Sequence, residues 1–249
     1  MAVITISRGS YSKGVEIAEK VSHKLKYNCI SRESLLESSE EFNTPDMRLI
    51  HSLEDIPSIF KRFRYGTDTY VSSIRALILR NLKNDKTVYH GFAGHHFVKN
   101  ISHVFKVRIL ANQEHRIKFV MERDKISRED AAAFIDKIDE QRRNWARYLY
   151  GIDIRDAGQF DLTLNLDKIS INDAIETICH LTESEQLKTT SESQREIDNL
   201  SLESEVRLVL PDLGHNIEIS ANEGKVTLKG FVSAENDIAK YIEATNAIT

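Results

Sequence analysis

The sequence predicts an α/β protein built on a parallel sheet, and three observations carry that reading. Short β-branched runs recur along the chain, and longer stretches with apolar residues at helical spacing lie between them. Strands and helices in alternation are the pattern of a parallel sheet with right-handed crossovers. The first strand and helix are joined by a turn bracketed by Gly9 and Gly14. Past residue 182 the pattern changes to helix, two strands and helix, a small α+β unit.

The elements follow in order. Residues 3–7 are β-branched and apolar, the signature of a buried strand. After Gly14, the residues Val15, Ile17, Ala18, Val21 and Leu25 repeat as one helical face. Residues 28–30 form a short second strand and 32–42 a helix; 43–58, with Pro45 and Pro57, is loop or broken helix. Val71, Ile74, Leu77, Ile78 and Leu82 share a face of a helix over 70–82. Residues 87–89 and 104–111 are strands, and 114–123 a helix. Ser127 and Asp130 resemble a capping box ahead of a long polar helix ending near Tyr150. Residues 161–166 alternate like a strand, and Ser170 caps a helix to about Leu181. Residues 183–197 carry almost no apolar side chain and read as a linker or the start of a solvated helix. A helix over 200–210, strands over 217–220 and 226–232, and a helix that Ser233 caps follow. The expected division is therefore 1–182, a linker at 183–197, and 198–249.

A hydrophobic share of 41% and a charged share of 29% suit a globular chain that needs no disulfides. Cys29 and Cys179 have no metal-ligand spacing and are expected as reduced, packed thiols. No stretch approaches a bilayer span and the first residues do not resemble a signal peptide, so the cytoplasm is the expected compartment. Net charge is -4, divided unevenly: residues 185–249 hold 12 acidic and 6 basic side chains, and the rest is net +2. The first part is thus the half that tolerates a polyanionic ligand.

Gly9-x4-Gly14 at a strand-to-helix turn is the right context for a phosphate cradle. Glycine lets backbone N–H groups approach an anion, and the helix N-terminus adds partial positive charge. The full Walker pattern fails, because Val15 and Glu16 stand where Lys and Ser/Thr should follow Gly14. An ordinary strand-to-helix turn has the same spacing, and both readings stay open. Arg116, Arg123, Arg128, Arg142, Arg143 and Arg147 fall on or around the 113–150 helical pair. They are either phosphate-gripping side chains or a solvated face, with Asp139 pairing Arg142 or Arg143. His90, His95, His96 and His103 lack a Cys or carboxylate pair for metal, and none is expected. His90, at the end of a strand, instead faces the crevice where open sheets bind ligands.

Several runs resemble the cytidylate kinase-like family: Ile4-Thr5-Ile6-Ser7-Arg8 with Ser12, Gly14, Glu16, Ile17 and Ala18, then Arg32-Glu33. Further along come Arg116-Ile117-Lys118, Val120 to Arg123, Ile138-Asp139, Arg142, Arg147-Tyr148, Tyr150 to Asp153 and Asp161-Leu162. The likeness covers about residues 1–182. It implies a P-loop NTPase-type three-layer parallel sheet with a helical lid. It also implies ATP-dependent phosphoryl transfer, with Mg²⁺, to a nucleoside monophosphate, CMP or dCMP. Arg8, Gly9, Ser10, Ser12, Lys13 and Gly14 would then bind ATP, and Arg32, His90 and Gly91 the acceptor. Arg123, Arg142 and Arg147 would be the lid's catalytic arginines. The sequence departs from the family at Tyr11 and Lys13, where glycine is usual, and at Val15, where Arg is common. Gly91-Phe92-Ala93 stands in place of Gly-Arg-Gly. Since one transition-state arginine is worth about 10³–10⁵ in rate, a nucleotide-binding regulator without turnover is the alternative.

Glu223-Gly224-x-Val226-Thr227-Leu228-x-Gly230-x-Val232 resembles a BON domain, a likeness over about 195–249. Such domains carry a further strand after the last helix, which is missing before Thr249. Their association with phospholipid conflicts with net -6 here. A homodimer or a protein partner is the expected use of this part, with neither nucleic acid nor stable membrane insertion.

Overall fold

In the computed structural model, the described residues are 2–38, 67–210, 217–231 and 235–246. The expected end of the helix at 32–42, the loop at 43–58 and the Ser233 cap lie outside them. Strand β1 (Val3–Arg8) is the central rail, with Val3, Ile4, Thr5 and Ile6 all buried. Burial on both faces is why it reads as a continuous apolar run. After it come α1 (Gly14–Leu25), β2 (Asn28–Ser31), α2 (Arg32–Ser38), α3 (Thr67–Leu82), β3 (Thr87–His90) and the short α4 (Gly94–Phe97). Then follow β4 (Val104–Ala111), α5 (Gln113–Asp124), α6 (Arg128–Tyr150), β5 (Leu162–Leu166) and α7 (Ile171–Thr182).

The five strands pair in parallel in the order β2-β3-β1-β4-β5. Ile6 sits between His90 of β3 and Val107 of β4, so the carboxyl ends of the three central strands open together. Helices cover both faces. Ile17, Ala18 and Val21 of α1 join Ala174, Ile175 and Ile178 of α7 over one side. Tyr70, Ile74, Ile78 and Leu82 of α3 close the other, with Leu149 of α6. This is the three-layer arrangement expected.

The caps follow the sequence. Ser170 and Asp173 form a reciprocal capping box on α7, while Ser127 accepts from the Asp130 amide to start α6. Cys179 is buried as expected, but Cys29 is exposed because β2 is an edge strand.

Residues 183–197 are not a contact-poor linker. A single helix, α8 (Ser191–Val209), begins inside that segment and continues through the helix expected at 200–210. Its first half packs on α3 and puts Ile197, fully buried, into the main core. Ser193, also buried, bonds His103 Nδ1 at 2.8 Å, and Gln194 donates to the Lys83 carbonyl at 2.9 Å. Ser193, Ser201 and Ser204 are buried along this helix, so a polar sequence occupies a buried face. The second half of α8 supplies Val206 to another core, with Leu210 and Ile217. There β6 (Glu218–Asn222) and β7 (Lys225–Lys229) pair antiparallel, and α9 (Glu235–Asn246) packs beside them. Glu223 (φ 51°) and Gly224 (φ 80°) make the two-residue turn, whose positive φ values suit a right-twisted hairpin.

Candidate active site

The β1–α1 turn lies at the open end of the central strands. Lys13 caps α1 in a left-handed conformation, and its side chain makes no capping hydrogen bond. The first helical bond is Ile17 N–H to the Lys13 carbonyl at 3.1 Å. The amides of Gly14, Val15 and Glu16 therefore point out of the helix end, the arrangement that receives anions. Gly14 is needed for close approach: a Cβ there would stand 2.7 Å from the Arg8 Cβ. Tyr11 (φ 55°) and Lys13 (φ 62°) are left-handed without being glycine. Each costs about 1–2 kcal/mol relative to a right-handed residue. The loop thus keeps a glycine-type backbone at the two positions where the sequence departs from glycine.

The loop's serines are already engaged. Ser12 Oγ donates to the Gly9 carbonyl at 2.9 Å, with the Ile109 carbonyl 3.2 Å away, and the Gly9 amide bonds Ile109 as well. Gly9 and Ser12 therefore anchor the loop to β4. Ser10 Oγ donates to Asp139 at 2.6 Å and accepts from Arg116, which also pairs with Asp139 at 2.7 Å. The Asp139 partner expected from helical spacing was Arg142 or Arg143; Arg116, from α5, takes it instead. A helix-to-helix pair of this kind has no local sequence signal.

Two clefts open around the loop. The larger, about 590 Å³, is lined by Arg8, residues 10–16, Glu19, Phe119, Arg123, Ile138 and Arg142. The smaller, about 200 Å³, is lined by Arg8, Arg32, Glu33, Phe92, Gln141, Arg142 and Trp145, with Ile138. Arg8, Ile138 and Arg142 belong to both. Arg142 donates to the Arg8 carbonyl at 3.2 Å and lies 5.4 Å from the Phe92 ring centre. Burial and then the Arg8 charge push its guanidinium down to about 10. Arg8 reaches Glu33 at 3.4 Å, while its buried Nε has no hydrogen-bond partner among the described residues. Arg32 bonds Tyr70 at 2.8 Å and likewise keeps a buried, unpartnered Nε. Three guanidiniums thus surround the junction of the clefts, those of Arg8 and Arg32 each with a buried Nε to spare, an arrangement suited to phosphate oxygens.

The remaining expected residues are placed as follows. Gly91 lets β3 meet α2, since a Cβ there would lie 2.6 Å from the Arg32 Cβ. His90 is buried beside that contact; burial, then the Arg8 charge, holds it below its usual range. Arg123 lines the larger cleft, held by Asp124 at 2.6 Å and stacked on Tyr11 at 4.7 Å. Arg147 stands apart in the last turn of α6, 3.6 Å from Asp153, and lines neither cleft. Tyr11, Phe92, Arg116 and Asp139 complete the site; the sequence marked Tyr11 and Phe92 as departures, Arg116 as one of six arginines and Asp139 as a helical pairing partner, and gave none of them its observed role. No group of three or more His, Cys, Asp or Glu could hold a metal among the described residues.

A family profile described as the Cytidylate kinase-like family matches residues 3–168, two thirds of the sequence and every element from β1 to β5. The chain belongs to that family. Cytidylate kinases of Pyrobaculum islandicum and Pyrobaculum neutrophilum are 28% and 29% identical over 176 residues, 70% of this chain and 89% of theirs. An uncharacterized protein from Eubacterium ventriosum has the same fold, with a TM-score of 0.57, 18% identity, and coverage of 74% of this chain and 99% of its own. The family match places the chain with nucleotide kinases and stops short of α7, so α8, β6, β7 and α9 lie outside it. None of the described helices is long and apolar enough to cross a membrane.

Proposed function

We propose that this cytidylate kinase-like chain transfers a phosphoryl group from ATP to a nucleoside monophosphate, CMP or dCMP by likeness to its relatives. The observation that supports this best is the junction of two clefts at Arg8 and Arg142. A donor on the loop and an acceptor beside Arg32 would bring their phosphates together there from opposite sides. Such a transfer has little covalent chemistry for the protein to perform, and rests on positioning and charge neutralisation. The Gly14, Val15 and Glu16 amides would hold the donor's outer phosphates. Arg142 would meet the transferring group, where its poorly solvated charge gains most, and Arg32 the acceptor phosphate. Mg²⁺ would arrive on the nucleotide, and Glu16 and Glu19 are the carboxylates lining the donor cleft that would offer it oxygen. When bound, magnesium would supply positive charge to offset that of the donor phosphates. Arg147, away from both clefts, has no part in this scheme. The cytoplasm remains our proposed compartment.

A second reading is favoured by the loop itself. Val15 stands where a Walker lysine would be expected, and Phe92 where an arginine is usual. One charge-assisted hydrogen bond contributes about 1.5–3 kcal/mol to binding, so nucleotide binding can survive these losses while turnover falls much further. The chain would then be a nucleotide-binding regulator acting through its BON-like C-terminal unit, onto which α8 leads directly.

Titration calorimetry with ATP-Mg²⁺ and with CMP, beside a coupled turnover assay, separates the two. Binding with turnover supports the kinase; binding without it selects the regulator. Gly14→Val should abolish ATP binding in a variant that still melts cooperatively, because the added bulk pushes α1 away from β1. Unchanged affinity would remove the loop from the site.

A further inference from the structure

Tyr11 occupies a position that the sequence gives no reason to fill with an aromatic side chain. Its backbone is left-handed, which a glycine would adopt freely. Its half-buried ring leaves the loop and packs against the small core of the α5–α6 pair, which Ile117, Val120, Ala131 and Ile135 form. Phe119 and Phe134 flank it, each with ring centres 6.1 Å away. Arg123 lies over its face at 4.7 Å and is itself fixed by Asp124.

Its neighbours point the same way. Ser10 is tied to Asp139 and Arg116, and the Lys13 ammonium lies 4.8 Å over Phe119. Gly9 and Ser12, by contrast, are bonded to Ile109 on the sheet. Gly9 and Ser12 therefore hold the sheet, while Ser10, Tyr11 and Lys13 hold the helical pair. The helical pair is also the element that carries Arg116, Arg123 and Arg142.

We propose that Tyr11 is a positioning residue that joins the phosphate loop to the arginine-bearing helices as one mechanical unit. The left-handed loop conformation persists while the ring is seated in the helical core. Seating the ring brings Arg142 to the cleft junction at the same time. A phosphate on the loop would then stabilise the placement of the arginines, and displacement of the helices would dismantle the cradle. The nucleotide consequence rests on the donor reading above; the mechanical link does not.

The test is hydrogen exchange on the full chain, with and without ATP-Mg²⁺, for wild type, Tyr11→Phe, Tyr11→Ala and Tyr11→Gly. Without nucleotide, Tyr11→Ala should speed exchange about tenfold or more both in residues 9–16 and in residues 114–135, and Tyr11→Phe should match wild type. With nucleotide, Tyr11→Ala should weaken ATP about tenfold and lower kcat as well as raise KM. Tyr11→Gly, which removes the ring and the backbone strain together, should recover part of the affinity and none of the helical protection. Faster exchange confined to residues 114–135, with loop protection and ATP affinity intact, would overturn the proposal, since the ring would then be core packing alone. Should Tyr11→Ala fail to fold, the Gly and Phe variants decide by the same comparison. If wild type shows no ATP binding, the donor reading fails, while the nucleotide-free exchange still decides whether loop and helices are joined.

Discussion

Replacing Arg142 by methionine should make the protein more stable and worse at holding phosphate. The side chain is half-buried, donates to the Arg8 carbonyl, and lies near two other guanidiniums. A guanidinium pushed down to about 10, first by burial, feels surroundings unfavourable by about 3 kcal/mol. Partial exposure, the lost hydrogen bond and the lost contact with Phe92 reduce what the substitution recovers. A net gain of about 1–2 kcal/mol is expected, in line with other buried ions exchanged for apolar residues of similar volume. In a chain of this size that raises Tm by about 2–8 °C. Removing the cation that meets the anion should at the same time weaken ATP or CMP by about 10- to 100-fold. Differential scanning fluorimetry and calorimetry on the same preparation measure both. A lower Tm with unchanged affinity would refute the reasoning, because Arg142 would then be a structural cation satisfied within the fold.

Two further outcomes follow from burial elsewhere. Ile197→Ala should cost about 2–5 kcal/mol, and a chain ending near residue 183 should be insoluble or melt far below full length; a fragment as stable as the whole would restore the linker. Burial first of all holds His90, His95, His96 and His103 below their usual value, His95 at about 4. The unfolded chain therefore binds more protons below about pH 6.5, so stability should fall from there towards pH 4. His95→Gln should flatten the slope of Tm against pH, and an unchanged slope would remove His95 from the account.

Most of the sheet was legible because β1 and β3 are buried on both faces and its helices carry one apolar stripe each. Where the sequence misled, small or polar residues had been placed inside. Ser193, Ser201 and Ser204 are buried on α8, yet they belong to the hydrophilic stretch and its continuation, which hydropathy assigns to solvent. The four-residue α4 escaped notice because Gly94-His95-His96 has the composition of a loop. In the site, the glycine spacing and Arg142 could be seen in the chain. The role of Tyr11 could not, since a left-handed aromatic contradicts backbone preference and is explained only by α5 and α6, a hundred residues later. Asp139 shows the same limit: helical spacing named Arg142 or Arg143, and the fold supplied Arg116.

The shared helix α8 has a consequence for how the protein is made. During vectorial synthesis the kinase-like part is complete in sequence at Thr182, but its α3 face lacks Ile197 until later residues leave the ribosome. At roughly 5–20 residues per second, about one to six seconds separate Thr182 from Leu210. For that interval Ile74, Ile78 and their neighbours form an apolar surface without its cover. The same helix that finishes the first core begins the second, so a nascent chain closes the one only as it acquires the means to start the other.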